Sequence, residues 1–121
     1  MKNRFIAIAA FGLAILVSPS AVAHAILTDS NIKTNSIIHE LPKLVWLEFD
    51  GNLLSLGKVS VNRITLRGPR GESTIGQPIV GGARISISTT NRKIKGNYIL
   101  SWRIVSEDGH PVSGSIKFKV N

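Results

Sequence analysis

The chain has 121 residues, a formal net charge of +8 and no cysteine. This length favours a single domain with one core. Without cysteine, neither a disulfide framework nor a thiolate metal site can form. The positive residues are scattered and often alternate with apolar residues, which is typical of solvent-facing strand positions rather than of a stripe that binds nucleic acid. We therefore expect no nucleic-acid partner.

The N-terminal segment has the features of a cleaved signal peptide. Basic residues precede an apolar run at 5–17, and the Ala-Val-Ala at 21–23 supplies the small residues of a cleavage site. The apolar run is shorter than the ~20 residues that a membrane-spanning helix requires. The sequence therefore predicts a signal peptide at 1–23, export, and a mature domain at 24–121 that begins with His24.

The rest of the chain shows the two-residue period of strands and no convincing helical period. Strands are predicted, in chain order, at 44–49, 59–67, 83–88, 98–106 and 115–120. Glycine and proline at 68–71 indicate a turn. Trp46 and Trp102 lie in predicted strands, and we expect both in the core. Short strands separated by turns indicate an all-β domain, either an antiparallel sandwich or a small barrel.

Asp108 and His110 lie two residues apart at the turn between the last two predicted strands. In an extended chain such positions point to the same side. Gly109 allows a sharp turn, and Pro111 restricts the backbone of His110 to extended conformations. Together with an N-terminal His24, this pair predicts a metal site of nitrogen and oxygen donors. Such donors suit copper(II), while zinc and nickel remain possible from the ligands alone.

The segment at 96–114, GNYILSWRIVSEDGHPVSG, resembles the most specific motif of the CopC family of periplasmic copper-binding proteins. The His-Ala start at 24–25 and the strand PKLVWLEF at 42–49 extend the resemblance over essentially the whole mature chain. The resemblance implies an Ig-like Greek-key β-sandwich or barrel that is located in the periplasm and binds one copper(II) ion. The implied ligands are His24, through its imidazole and α-amine, Asp108 and His110.

The resemblance also implies a role as a copper carrier rather than an enzyme. The protein would act as a monomer that limits free copper or passes it to an inner-membrane transporter of the CopD type. Two departures from the family matter. The mature chain has no methionine for a copper(I) site, and the acidic residue that some members carry two positions after the phenylalanine is replaced by Gly51. Asp50 comes one position earlier, would point to the opposite side, and is left out of the predicted ligands.

Two alternative functions remain open from the sequence. A copper-dependent oxidase or monooxygenase could also use an N-terminal histidine and a second histidine, but Asp108 would then occupy coordination space that oxygen needs. A metal-free Ig-like interaction module could use Asp108-Gly109 only as a hairpin turn. In that module, His24 and His110 would be freely replaceable.

Overall fold

The computed structural model describes residues 25–57 and 61–121, and these residues form strands but no helix. The strands are β1 (Leu27–Ser30), β2 (Ile37–Ile38), β3 (Leu44–Phe49), β4 (Arg63–Gly68), β5 (Gly71–Glu72), β6 (Thr74–Gly81), β7 (Arg84–Thr89), β8 (Gly96–Val105) and β9 (Pro111–Val120). No helix capable of crossing a membrane is found within the described ranges.

The strands form two sheets that enclose one core. The four-stranded sheet has the order β1-β3-β7-β6, and the five-stranded sheet has the order β2-β9-β8-β4-β5. The neighbouring strands are antiparallel except for β2, which pairs in parallel with the end of β9. The hairpin β8–β9 pairs from Gly96 with Val120 to Val105 with Pro111. The predicted all-β sandwich is confirmed.

The core is built from residues that alternate along the strands and point inward. In β3, Val45, Leu47 and Phe49 are buried, as the two-residue period requires. Phe49 meets Trp102 of β8 edge-on, with ring centroids 6.4 Å apart. Each large apolar side chain buried in this way contributes about 1.5–3 kcal/mol. Gly114 lies opposite Trp102, where a Cβ atom would overlap the indole ring.

One expectation about the core was wrong. Trp46 is half-buried on the outer face of the four-stranded sheet, where the guanidinium carbon of Arg84 lies 3.9 Å from its ring centroid. A cation over an indole face is attractive, and Arg84 also forms an ion pair with Glu48 at 3.5 Å. Trp46 therefore stabilises the outside of the sheet, while Trp102 occupies the predicted core position.

Candidate metal centre

The β8–β9 hairpin closes through the turn that contains Asp108 and His110. The Gly109 N–H donates to the Ser106 carbonyl at 2.8 Å, and the Ser106 N–H donates to the His110 carbonyl at 3.3 Å. Gly109 has a φ of 85°, a left-handed conformation that glycine adopts without strain from a Cβ atom. Pro111 then begins β9. The turn geometry therefore explains the Asp-Gly-His-Pro order.

The structure brings Asp108 and His110 into direct contact. The His110 Nδ1 lies 3.1 Å from the Asp108 Oδ2. The other oxygen, Oδ1, accepts hydrogen bonds from the Ser106 hydroxyl and from the His110 backbone N–H, the latter at 3.0 Å. These contacts, the Ser106 hydroxyl above all, lower the pKa of Asp108 well below the usual carboxyl range. A charged carboxylate and an imidazole whose side chain is 57% exposed therefore lie side by side.

His24, the third predicted ligand, lies outside the described residues. Immediately after it, Ala25 is buried in the core. The Ile26 N–H donates to the Asp50 Oδ1 at 2.7 Å, and the Ile26 carbonyl accepts from the Asp50 N–H at 2.9 Å. These two bonds fix the backbone that follows position 24 beside the end of β3.

The short loop after β3, at 50–54, also contacts the hairpin turn. The Glu107 N–H donates to the Asn52 carbonyl at 3.2 Å. Asn52 is two residues after Asp50, so their Cα atoms are at most about 7 Å apart. The start of the described chain and the turn at 106–110 are therefore attached to one loop at the same end of the sandwich.

Asn62 is a structural residue of this end that the sequence reasoning did not single out. It is 2% exposed. Its Nδ2 donates to the Leu54 carbonyl at 2.8 Å, and its Oδ1 accepts from the Val105 N–H at 2.8 Å. The sequence did carry a signal, since Asn62 shares the inward parity of Ile64 and Leu66, and a polar side chain at a core position requires partners. Asn62 therefore joins the loop to the strand that leads into the turn.

The described residues supply part of the predicted donor set. Within residues 25–57 and 61–121, no group of three or more histidine, cysteine, aspartate or glutamate side chains could hold a metal ion. Asp108 and His110 form a pair, and the completion of the predicted set rests on His24. Asp50, which the sequence left out of the ligands, uses its Oδ1 to bind the Ile26 backbone.

Comparison with known proteins identifies the family. The family model of the CopC domain matches residues 27–121. The chain belongs to the CopC family. The protein named copper resistance protein C of Xanthomonas campestris pv. juglandis is 33% identical to this CopC-family chain over 110 residues, which cover 87% of this chain and 86% of that protein. The protein of the same name in Escherichia coli is 30% identical over 118 residues, covering 90% of each.

Solved CopC structures share the fold. CopC from Methylosinus trichosporium OB3b superimposes with a TM-score of 0.68 at 23% identity, covering 81% of this chain and 94% of that one. PcoC from Escherichia coli, described as a methionine-rich copper resistance protein, gives a TM-score of 0.66 at 25% identity, covering 82% and 100%. The resemblance found in the sequence is therefore confirmed. Unlike methionine-rich PcoC, this CopC-family chain contains one methionine, Met1.

Proposed function

We propose that the chain is a periplasmic copper(II)-binding protein, exported by a signal peptide at 1–23, whose mature domain at 24–121 binds one ion through His24, Asp108 and His110. The observation that carries the proposal is the contact between the Asp108 Oδ2 and the His110 Nδ1. It lies at the end of the sandwich where the chain enters β1. The relatives named copper resistance protein C support copper as the ion.

The contact between Asp108 and His110 suits two neighbouring positions on one ion. Donor atoms ~2.1 Å from a metal and at right angles to each other are ~3.0 Å apart, and Oδ2 and Nδ1 are 3.1 Å apart. The Ser106 hydroxyl binds Oδ1, so Oδ2 is the oxygen directed to the imidazole. A metal ion at Nδ1 requires that nitrogen to be deprotonated, so binding would release a proton.

His24 would complete the site from the segment that precedes β1 of the other sheet. It is two positions before Ile26, a reach of about 7 Å. Ile26 is bound to Asp50, and the same loop binds Glu107 through Asn52. The imidazole and α-amine of one residue can chelate a single ion, but the amine is available only when signal peptidase has exposed it.

The donor set favours copper(II) and exchange of the ion. Three nitrogens and one oxygen suit the tetragonal geometry of copper(II), whereas copper(I) prefers sulfur. The chain has no cysteine, and its methionine is residue 1 of the predicted signal peptide. The exposed Asp108 and His110 side chains would let a second protein take the ion by ligand exchange. We therefore propose a monomeric carrier that delivers copper to an inner-membrane transporter of the CopD type.

Copper titration of the chain beginning at His24 tests this function. His24→Ala and His110→Ala should each weaken binding by at least about tenfold to a hundredfold, since even partners of metal ligands have effects of that size. His39→Ala is the matched control, because His39 is exposed and follows β2, which pairs with the Val120 end of β9, far from the turn. Unchanged affinity in both ligand variants would refute the metal site.

A one-residue extension before His24 tests the terminal chelate separately. The extension keeps the imidazole but moves the α-amine away, so copper should bind more weakly. Electron paramagnetic resonance should show fewer coupled nitrogens in the extended protein than in the chain beginning at His24. Equal affinity and equal spectra would mean that the α-amine is not a ligand.

A further inference from the structure

The outward face of the five-stranded sheet carries a concentration of positive charge. We define this basic face by five exposed residues, Arg63 and Arg67 of β4, Arg103 of β8, and Lys117 and Lys119 of β9. Each alternates along its strand with buried residues. Because successive strand residues point to opposite sides, all five side chains point away from the core.

The strand register places these cations close to one another. Arg63 pairs directly with Arg103, and Arg67 and Lys117 lie on the two sides of Ile99. Like charges directly opposite on antiparallel strands destabilise a sheet. The ion pairs found among the described residues involve none of the five cations. The basic face therefore carries charge that an external anion could neutralise.

Acidic residues compensate little of this charge. Glu72 of β5 lies opposite Arg67 and is the acidic residue that the described strands place on this face. Its carboxylate accepts a hydrogen bond from the Thr74 hydroxyl at 2.8 Å. On the other sheet, by contrast, Arg84 is paired with Glu48. The excess positive charge of the described strands is thus concentrated on one side of the sandwich.

We propose that the basic face docks on the surface of a bilayer that contains anionic phospholipid. The small hydroxyl residues Thr65, Ser101 and Ser115 lie in one row across β4, β8 and β9 between the cations, and Ser113 lies opposite Arg103. Their short side chains leave room for the longer side chains of several cations to reach headgroups at once. Each Lys or Arg near an anionic membrane surface adds to the attraction without needing a shaped pocket.

The apolar residues of this sheet favour a lipid surface over a protein partner. Tyr98, Trp102 and Phe118 are buried in the core, so the described strands place no aromatic side chain on the basic face. Protein interfaces depend on aromatic or apolar anchors near their centre. On the basic face Ile99 is half-buried between Arg67 and Lys117, whereas Ile37, which is 66% exposed, lies at the edge, beside Lys119. An apolar side chain next to a cation suits the boundary between headgroups and acyl chains.

Docking in this way is independent of copper binding. The turn at 106–110 lies at the end of β8 and β9 rather than on the basic face, so it would remain open to solvent in the docked protein. An experiment can therefore refute membrane docking without refuting copper binding, and the reverse.

Sedimentation with lipid vesicles tests the docking surface. The chain beginning at His24 is used, so that the apolar leader cannot itself enter the bilayer. It should bind vesicles of phosphatidylcholine with one quarter phosphatidylglycerol, and should not bind pure phosphatidylcholine. The triple variant Arg63→Gln, Arg67→Gln and Lys117→Gln should bind about a hundredfold more weakly, since each cation contributes about fivefold. Binding should also disappear at ~1 M salt, where the Debye length is ~3 Å.

A second triple variant controls for net charge. Lys43→Gln, Lys93→Gln and Lys95→Gln remove three exposed cations that lie outside the five-stranded sheet. This variant should bind within a few-fold of the unmodified chain, and circular dichroism should show that both variants fold. An equal loss of vesicle affinity in the two triple variants would refute binding through the basic face. Failure of the unmodified chain to bind anionic vesicles, or binding to polyglutamate only, would overturn the lipid proposal, and the latter would indicate an acidic protein partner.

Discussion

Asn62→Ala should destabilise the protein at the end where the metal site is proposed. The Asn62 amide joins two segments that are far apart in sequence, the loop after β3 and the last residue of β8. Its Nδ2 donates to the Leu54 carbonyl and its Oδ1 accepts from the Val105 N–H, both at 2.8 Å. Alanine would remove both bonds and leave a small void in a site that is 2% exposed.

The size of the effect follows from the two backbone groups that lose a partner. A buried polar group without a partner costs about 1–3 kcal/mol. Leu54 and Val105 are half-buried, so water can reach them in part, and we expect a total loss near the lower bound, about 2–3 kcal/mol. For a domain of this size, that loss corresponds to a fall in Tm of about 10–20 °C.

Thermal unfolding of the chain beginning at His24, followed by circular dichroism, measures this loss. Asn97→Ala is the matched control, because Asn97 is also in the five-stranded sheet but is exposed. Copper affinity should also fall in Asn62→Ala, because the bond from the Val105 N–H to Asn62 holds the end of the strand that leads into the turn. A change in Tm no larger than that of Asn97→Ala would refute the proposed role of Asn62.

Further predictions concern the turn and the core. Copper affinity should decrease as the pH falls, because protons compete for amine and imidazole nitrogens whose ordinary pKa values are roughly 8 and 6.5. Asp108 should not add to this competition, since its pKa lies well below the usual range. Copper titrations at several pH values measure the pH dependence, and an affinity that does not change with pH would exclude nitrogen ligation. Ser106→Ala should be less stable than the unmodified chain at neutral pH, because the Ser106 hydroxyl stabilises the charged Asp108 carboxylate. A carboxyl pKa that is lower in the folded state stabilises the protein above the unfolded value of 3.8, and this stabilisation is lost as the pH falls through the folded value. The difference in free energy of unfolding between the unmodified chain and Ser106→Ala, measured with urea, should therefore shrink in strong acid. A difference that stays constant with pH would assign the effect to another contact. Gly114→Ala should reduce the free energy of unfolding by about 1–3 kcal/mol through overpacking against the Trp102 ring, and unchanged unfolding monitored by tryptophan fluorescence would contradict that contact.

The alternation of apolar residues predicted the inward faces of several strands. Val45, Leu47 and Phe49 of β3 are buried, as are Ile64 and Leu66 of β4. This succeeded because a two-residue period is a local property of the chain, and burial of one face of a sheet enforces it.

The prediction that Trp46 lies in the core was wrong because it followed the residue type, a large aromatic side chain, and not the position of Trp46 in the two-residue alternation of β3. Trp46 has the outward parity of Leu44, which is 43% exposed. What stabilises the indole there is Arg84 of β7. The sequence separates these residues widely, so only the register of β3 with β7 reveals the contact.

The strand β6 was not predicted at all. Gly76 and Pro78 interrupt its pattern, and Ile75 and Ile79 are exposed. β6 is an edge strand, and its register with β7 shifts between Ile75 and Ile79. Edge strands tolerate proline and bulges, since one side of their backbone needs no partner. Its pairing with β7, rather than its own composition, makes this segment a strand.

In the candidate site, too, the local contacts could be predicted from the sequence and the contacts between distant segments could not. Asp108 and His110 could be predicted as neighbours because only Gly109 lies between them, so their contact depends on local turn geometry and not on the rest of the fold. The bonds between Ile26 and Asp50 cross 24 positions of sequence. Nothing in the composition of either segment specifies that pairing, so its position near the turn depended on the folded sheets.

The proposed ion would connect the two sheets of the sandwich. β1 belongs to the four-stranded sheet, whereas β8 and β9 belong to the five-stranded sheet. An ion held by His24 and by the Asp108–His110 pair would therefore join the two sheets across one end of the sandwich, in a chain that has no cysteine for a disulfide. Structural metal sites are normally closed, but the His110 side chain is 57% exposed. The loop at 50–54 and Asn62 already hold this end together through protein contacts, so the fold need not depend on the ion. A site that is organised beforehand and open to solvent is suited to releasing copper to a partner rather than to retaining it.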